Sequence, residues 1–204
     1  MIQIYGPAGS SAGRCFWTLE EIGQPYEAMP INFRNADHKK PEFLKLNPNG
    51  KIPALKDGDL VLWESMAINF YLAEKYQPAL LGANLEDKAH IMKWSFWALG
   101  DYQQPMIEVF IQKVFVPEER RDKDVIAKNL VKLVPLNTLL DQHLQNRNFM
   151  VGPSFTLADI NVASVAKIYS AIGEDLSAFP ALKTWLERML ERPAAQKVAK
   201  LEKH

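Results

Sequence analysis

Cysteine is nearly absent. Cys15 is the only one among 204 residues, so no disulfide can close within the chain and no thiolate cluster can hold zinc. An excess of either charge is absent too. Lys and Arg number 24, and Asp and Glu also number 24, which removes the long-range field that would gather a polyanion. The densest charged stretches, 118–123 and 197–204, mix both signs and read as solvated surface. No apolar run approaches the ~20 residues needed to cross a bilayer, and the best stretch, 106–116, is broken by Glu108, Gln112 and Lys113. Met1-Ile2-Gln3-Ile4-Tyr5 lacks the basic and apolar regions of a secretory signal. The expectation is a cytoplasmic protein with neither nucleic-acid nor membrane partners. His38, His90, His143 and His204 show no metal spacing, and a Gly-x-Gly-x-x-Gly, a Walker pattern and a Gly-x-Ser-x-Gly elbow are all missing. Metal, nucleotide and serine-hydrolase chemistry are therefore not expected.

What is present is a foldable composition, 48% hydrophobic, in a chain long enough to bury roughly 70% of its unfolded surface. The first third changes period quickly, as a small α/β unit does. Ile2–Tyr5 reads as a strand. A turn at Gly6-Pro7-Ala8-Gly9-Ser10-Ser11 leads into a helix carrying Cys15, Phe16, Leu19 and Ile22, stopped by Gly23. A second strand fits 26–31, and Asn47-Pro48-Asn49-Gly50 is a turn. Segments 52–55 and 60–62 flank Asp57-Gly58-Asp59 as a hairpin. Ser65 can then cap a helix reaching Tyr76.

From Pro78 the texture changes and the period becomes helical throughout. Helices are expected over 86–114, 123–145, 157–171 and, in one or two pieces, 181–203, with Pro135 kinking or breaking the second. Thr156 and Asp159, flanked by Phe155 and Ile160, form a capping box with a hydrophobic staple. The expected domains are 1–76 (α/β) and 87–204 (all-helical), joined by a linker at 77–86.

Several positions could carry chemistry. Ser10 and Ser11 stand at a strand-to-helix turn, where a hydroxyl and free helix N–H groups favour an anion, although either could serve only as a cap. Ile52-Pro53 leaves Ile52 backbone groups free to pair with an extended ligand, while the residues alone favour an ordinary trans bond. Glu64-Ser65 offers a carboxylate and a hydroxyl at another helix start, suited to the amino-acid end of a ligand or simply to capping. Cys15, among apolar neighbours, reads as an inert buried thiol. Trp94, Phe96, Trp97 and Tyr102 concentrate aromatic surface, mostly core.

Three stretches in this order, Asn47 to Leu55, Leu62 to Ile68 and Gly152 to Asp159, resemble the cytosolic glutathione transferases, and the resemblance spans essentially the whole chain. It implies a thioredoxin-like α/β N-terminal domain, an all-α C-terminal domain and a two-fold homodimer, with Met66 and Phe70 turned away from the core. It further implies glutathione as co-substrate, held mainly by the first domain, and a small hydrophobic electrophile held between the two. The turn Pro7 to Arg14 is similar to the serine-type theta and delta-like branches and their bacterial relatives. That likeness makes Ser11 the catalytic candidate and Ser10 the reserve. By the same resemblance Pro53 is cis and Ile52 pairs with the cysteinyl backbone, while Glu64 and Ser65 hold the γ-glutamyl end. His38, Lys39 and Lys51 then face the glycine carboxylate. Ala8, Trp97, Gly100, Asp101, Met106 and Phe110 are the candidates for the electrophile pocket. The implied reaction is attack by glutathione thiolate. A glutathione-dependent peroxidase or isomerase, and a non-catalytic interaction module of the same fold, are the alternatives.

Overall fold

The computed structural model describes residues 1–202; the expected end of the last helix at Lys203, and His204, lie outside the described residues. The chain divides into two compact units, unit 1 formed by residues 1–81 with the segment from 191 onward, and unit 2 by residues 82–190.

Unit 1 is built on a four-stranded sheet of order β2-β1-β3-β4, from β1 (Ile2–Tyr5), β2 (Tyr26–Met29), β3 (Ala54–Asp57) and β4 (Leu60–Trp63). β1 runs parallel to β2 and antiparallel to β3, so the β1–β2 connection must cross over, and α1 (Gly13–Ile22) supplies that crossover. β2 ends at Met29 rather than at Ile31 because Pro30 has no N–H to continue the ladder. Gly23, at φ 67°, closes α1 with its N–H on the Leu19 carbonyl. Ile4, Leu55, Cys15, Phe16, Leu19, Ile68 and Leu72 form the core between the sheet and two helices, α1 and α3 (Ser65–Tyr76). The hairpin is anchored to α3 through one carboxylate oxygen: Asp57 Oδ2 accepts from Tyr71 Oη (2.8 Å), Lys75 Nζ (2.7 Å) and Tyr76 Oη (2.7 Å). Burial opposes the charge, but these donors outweigh it and hold Asp57 down to about 2. α2 (Pro41–Leu44) is a single turn that buries Phe43. Met66, expected on an outward face, is 2% exposed and belongs to the core.

Unit 2 is helical: α4 (Leu85–Trp97), α5 (Gln103–Phe110), α6 (Lys123–Leu144), α7 (Leu157–Ala171) and α8 (Pro180–Leu190). The expected single helix over 86–114 is divided by a π-helical segment, Ala98–Tyr102, where the Gln103 N–H reaches back to the Ala98 carbonyl. Pro105 explains it. With no N–H to offer the Asp101 carbonyl, it breaks the ordinary register, and one extra residue is absorbed in the turn before it. α6 instead runs through Pro135 as one helix, with the ring on the exposed side. α7 begins as the capping box requires, and Asp159 does more than cap. Its carboxylate accepts from the N–H of Met150 (2.8 Å) and of Thr156 (2.9 Å), the Thr156 hydroxyl (3.1 Å) and the Trp185 indole (3.1 Å). One buried residue thereby ties a loop, a helix start and α8 together. No helix among the described residues is long and apolar enough to cross a membrane.

The last helix, α9 (Pro193–Leu201), belongs to unit 1, whereas periodicity alone assigned it to the helical domain. Its apolar face, Ala194, Ala195 and Val198, is buried, and it packs on α1. Arg192 pairs with both oxygens of Glu21 at 2.7 Å, and Lys197 reaches Glu20 at 3.0 Å.

Candidate active site

The end of β1, the start of α1 and Ile52 converge at Gly6. This residue takes φ 129°, and a Cβ there would lie 3.1 Å from Ile52 Cβ and 3.2 Å from Ala12 Cβ. Gly13 is equally constrained, since a Cβ would meet the Ala8 carbonyl oxygen at 2.3 Å. Only glycine lets the turn fold back over the first residue of the helix.

Inside that turn the two serines separate. Ser10 Oγ donates to the Pro7 carbonyl (2.6 Å) and accepts from the Ala12 N–H (3.2 Å), so its hydroxyl is committed to the turn. Ser11, half-buried one residue later, has no hydrogen-bond partner for its hydroxyl among the described residues. The first turn of α1 contains no acidic residue and Ala12 gives no side-chain cap, so the positive end of the helix dipole is left for an outside anion.

Around Ile52 the loop is scaffolded by Asn47, 2% exposed. Its Nδ2 donates to the Lys51 carbonyl (2.6 Å), its Oδ1 accepts from the Asn49 N–H (3.0 Å), and its carbonyl accepts from the Gly50 N–H (2.9 Å). The Ile52-Pro53 bond is cis, as the resemblance implies and the residues alone did not. Pro53 is buried and Ile52 half-buried. Gly50, at φ 58°, brings in the next two candidates: a Cβ there would lie 2.9 Å from both the His38 carbonyl oxygen and Lys39 Nζ. His38 stacks obliquely on Phe33 (4.9 Å between centroids), and its buried Nδ1 has no partner among the described residues. Lys39 and Lys51 are exposed. Lys39 and Lys51 thus bring two ammonium groups to one loop pair, a charge suited to a carboxylate.

At the start of α3 the roles differ from simple capping. Ser65 is the first helical residue, 5% exposed, and Glu64 occupies the cap position at φ 72°, ψ 109° without a capping bond from its side chain. A glutamate in that strained region has its exposed carboxylate directed by the backbone rather than by a partner, a pattern that clusters at binding sites. Ser65 Oγ accepts from Arg14 Nη1 (3.4 Å), and the Ser65 carbonyl accepts from Cys15 Sγ (3.6 Å). Arg14 was the unassigned member of the sequence pattern. It is buried, and its carbonyl accepts from Thr18 Oγ1 (3.0 Å) and Asn69 Nδ2 (3.3 Å), so it joins α1 to α3 directly behind the serine turn. Burial lowers its pKa to about 10, which leaves it cationic at neutral pH.

Cys15 is buried, and burial pushes its thiol up to about 12 against the opposing pull of Arg14. Iodoacetamide at pH 8 is therefore expected to leave the native protein unlabelled over hours and to label it stoichiometrically in denaturant. Mass spectrometry reads the difference, and rapid native labelling would contradict the packing described.

The pocket candidates fare unequally. Ala8, in unit 1, is buried. In unit 2, Trp97 is half-buried, stacked on Tyr102 (5.2 Å, 19°) and edge-on to Trp94 (5.3 Å). Gly100 and Asp101 are exposed on the π-helical segment, and Phe110 is half-buried against Phe115 (5.6 Å). Met106 is corrected: it has 0% exposure and lies in the core, so it presents no surface to a ligand. The extra residue at 98–102 accounts for this. One residue turns everything after it by about 100° around the helix, which moves Met106 off the face that an unbroken helix would give it.

Residues 2–74 match the family model described as glutathione S-transferase, N-terminal domain, and residues 103–193 match the C-terminal domain of the same family. Glutathione S-transferase 1 of Zea mays is 38% identical over 211 residues, covering 99% of this chain and 97% of its own. The solved structure of maize glutathione S-transferase I with an atrazine glutathione conjugate superposes with a TM-score of 0.90 at 38% identity, covering 99% and 98%. The theta-class enzyme of Xanthomonas axonopodis pv. citri, solved with glutathione bound, gives a TM-score of 0.91 at 32% identity, covering 96% and 95%.

Proposed function

The chain belongs to the glutathione S-transferase family and conjugates glutathione to electrophiles, and on that premise we propose that it is a serine-type member in which Ser11 activates the thiol. The observation that carries this reading is the division of labour in the turn: Ser10 is spent on Pro7 and Ala12, while the Ser11 hydroxyl at the start of α1 is uncommitted.

Glutathione binds with its cysteinyl backbone on Ile52, beside cis-Pro53. Its ammonium lies against Glu64, its γ-glutamyl carboxylate on Ser65 and the α3 N-terminus, and its glycine carboxylate among His38, Lys39 and Lys51. The thiol proton leaves to solvent. Ser11 donates a hydrogen bond to the thiolate, and the α1 dipole adds to the effect; both favour the charged form. A shift from ~8.5 to ~6.5 turns a few per cent thiolate at pH 7 into a majority, about 2.7 kcal/mol of differential stabilisation. The sulfur lone pair then forms the new carbon–sulfur bond. With an aryl halide the halide leaves with its bonding electrons; with an α,β-unsaturated carbonyl the β-carbon is attacked and the α-carbon takes a proton from water. Trp97, Gly100, Asp101 and Phe110 remain the electrophile candidates in unit 2, with Ala8 in unit 1.

We further infer a cytoplasmic homodimer, supported by a sequence with one cysteine and so no disulfide within the chain, and by Met92 and Phe96 of α4, 39% and 55% exposed in the single chain. Light scattering is expected to give twice the 23.2 kDa of the chain, and a persistent monomer at micromolar concentration would contradict it. The functional test is retention on immobilised glutathione, followed by assay with an aryl halide, an organic hydroperoxide and an α,β-unsaturated carbonyl. Retention with conjugation is expected; failure to bind glutathione would move the chain to the interaction-module reading. Glu64→Gln is expected to raise KM for glutathione by about tenfold while kcat changes little, because one charge-assisted contact to a non-reacting end of the substrate is lost.

A further inference from the structure

We propose that Asn137 of α6 is a positioning residue for the electrophile site, acting through Tyr102 on Trp97. The inference rests on the reading of Trp97, Gly100 and Asp101 as electrophile candidates, and it names what sets their geometry. All of these residues belong to unit 2.

Trp97 ends α4, and Gly100 and Asp101 lie on the π-helical segment Ala98–Tyr102. Such single-turn segments are frequent at functional sites. No side-chain cap secures the start of this one, so something else must hold its extra residue in place. Its two buried members, Ala98 and Tyr102, are both 0% exposed, and of these only Tyr102 has a polar side chain. Tyr102 Oη donates to Asn137 Oδ1 at 2.6 Å. Burial, and after it the neighbouring Tyr169, push the Tyr102 hydroxyl well above the usual tyrosine range, so it remains a donor at working pH.

Trp97 inherits that anchor. Its indole is stacked on Tyr102 (5.2 Å, 19°) and meets Trp94 edge-on (5.3 Å, 87°). Trp94, 6% exposed, is packed in turn against the His143 ring at 4.5 Å. A stack fixes one ring only as firmly as the other is fixed. With the Tyr102 hydroxyl bonded, the half-buried Trp97 becomes a flat wall set in advance.

Stability does not account for Asn137. It is 0% exposed in the middle of α6, where helix propensity and desolvation both count against an amide. Its Nδ2 is turned to the Tyr169 hydroxyl but completes no hydrogen bond of ordinary geometry among the described residues. An apolar pair of the same shape would leave nothing unsatisfied at either position. A buried polar pair that gives up stability fixes a geometry in return, and here that geometry is the plane of Trp97.

Two variants test this. Tyr102→Phe/Asn137→Leu replaces the pair by apolar groups of similar shape, and Tyr102→Phe alone keeps the ring and removes only the hydroxyl. Steady-state kinetics are read with an aryl halide and with a small α,β-unsaturated aldehyde that has no ring to place. Both variants are expected to raise KM for the aryl halide about fivefold, the size of one stacked aromatic contact, with KM for glutathione and turnover of the aldehyde unchanged. A merely structural defect would lower both reactions together. In a Trp97→Ala background, where KM for the aryl halide is already raised, the pair change should add nothing further. Should the pair variant fail to fold, Tyr102→Phe alone decides. The inference is overturned if neither variant moves KM for the aryl halide while Trp97→Ala does, if the aldehyde reaction falls in step, or if the pair change keeps its full effect without Trp97. If Trp97→Ala itself leaves that KM in place, the electrophile reading of Trp97 falls and takes this inference with it.

Discussion

Ser11→Ala is expected to lower kcat/KM for an aryl halide by about 10²- to 10³-fold, the range seen when one preorganised donor to a reacting anion is removed. The loss should fall mainly on kcat, because Ile52, Glu64 and Ser65 still hold the tripeptide. It should also depend on pH in a definite direction. The wild-type rate rises with pH through the pKa of the bound thiol and levels off; without Ser11 that inflection moves upward, toward the ~8.5 of a free thiol. The deficit is therefore largest below pH 6.5, where both thiols are mostly protonated, and narrows by pH 9. Ser10→Ala provides the contrast. Its hydroxyl bridges Pro7 and Ala12, so its removal should cost about 1 kcal/mol of stability, as for a lost cap, with activity retained within a few-fold. If the two variants exchanged these phenotypes, the assignment would pass to Ser10.

The second large effect lies outside the site. Asp159→Ala strands four donors at once, the Met150 and Thr156 amides, the Thr156 hydroxyl and the Trp185 indole. Breaking a buried charged network by removing its centre costs about 3–5 kcal/mol, and at roughly 2–4 °C per kcal/mol for a chain of this size the melting temperature should fall by about 6–20 °C. Calorimetry measures it, and a fall of under about 3 °C would show that the network is dispensable. The residue also carries a pH signature. Burial raises its pKa to about 6 despite the four donors. A carboxyl whose folded-state pKa lies above its unfolded value contributes stability that is fully present below the unfolded pKa of ~3.9 and is lost as pH rises through about 6. Acidification from pH 7.5 to 5 should thus favour the folded wild type relative to Asp159→Asn, read as a divergence of their urea midpoints.

These cases show what a sequence can carry. The start of α7 was legible because a capping box is local: Thr156 and Asp159 need only be three apart, and the helix begins at Leu157. The wider task of Asp159 was not, since Trp185 lies 26 residues away. The serine turn was legible as a place, but choosing between Ser10 and Ser11 needed the Pro7 carbonyl and the Ala12 amide in three dimensions. Arg14 closed the turn pattern without an assigned role; its reason is Ser65, 51 positions on. Periodicity found helix over 181–203 but not the partner of α9, because Ala194, Ala195 and Val198 would suit any apolar surface, and Glu20 and Glu21 decide the matter. Met106 was misplaced by one helical residue, the one that Pro105 forces into the π-helical segment.

The central claim is that the free hydroxyl of Ser11, at the start of α1, holds glutathione as a thiolate. The direct measurement is the ultraviolet absorbance of the bound thiolate, titrated against pH in the wild type and in Ser11→Ala at saturating glutathione. An apparent pKa of about 6.5 in the wild type, rising toward the ~8.5 of a free thiol in the variant, is the predicted result. A wild-type value near that of free thiol, or one that Ser11→Ala leaves in place, would contradict it.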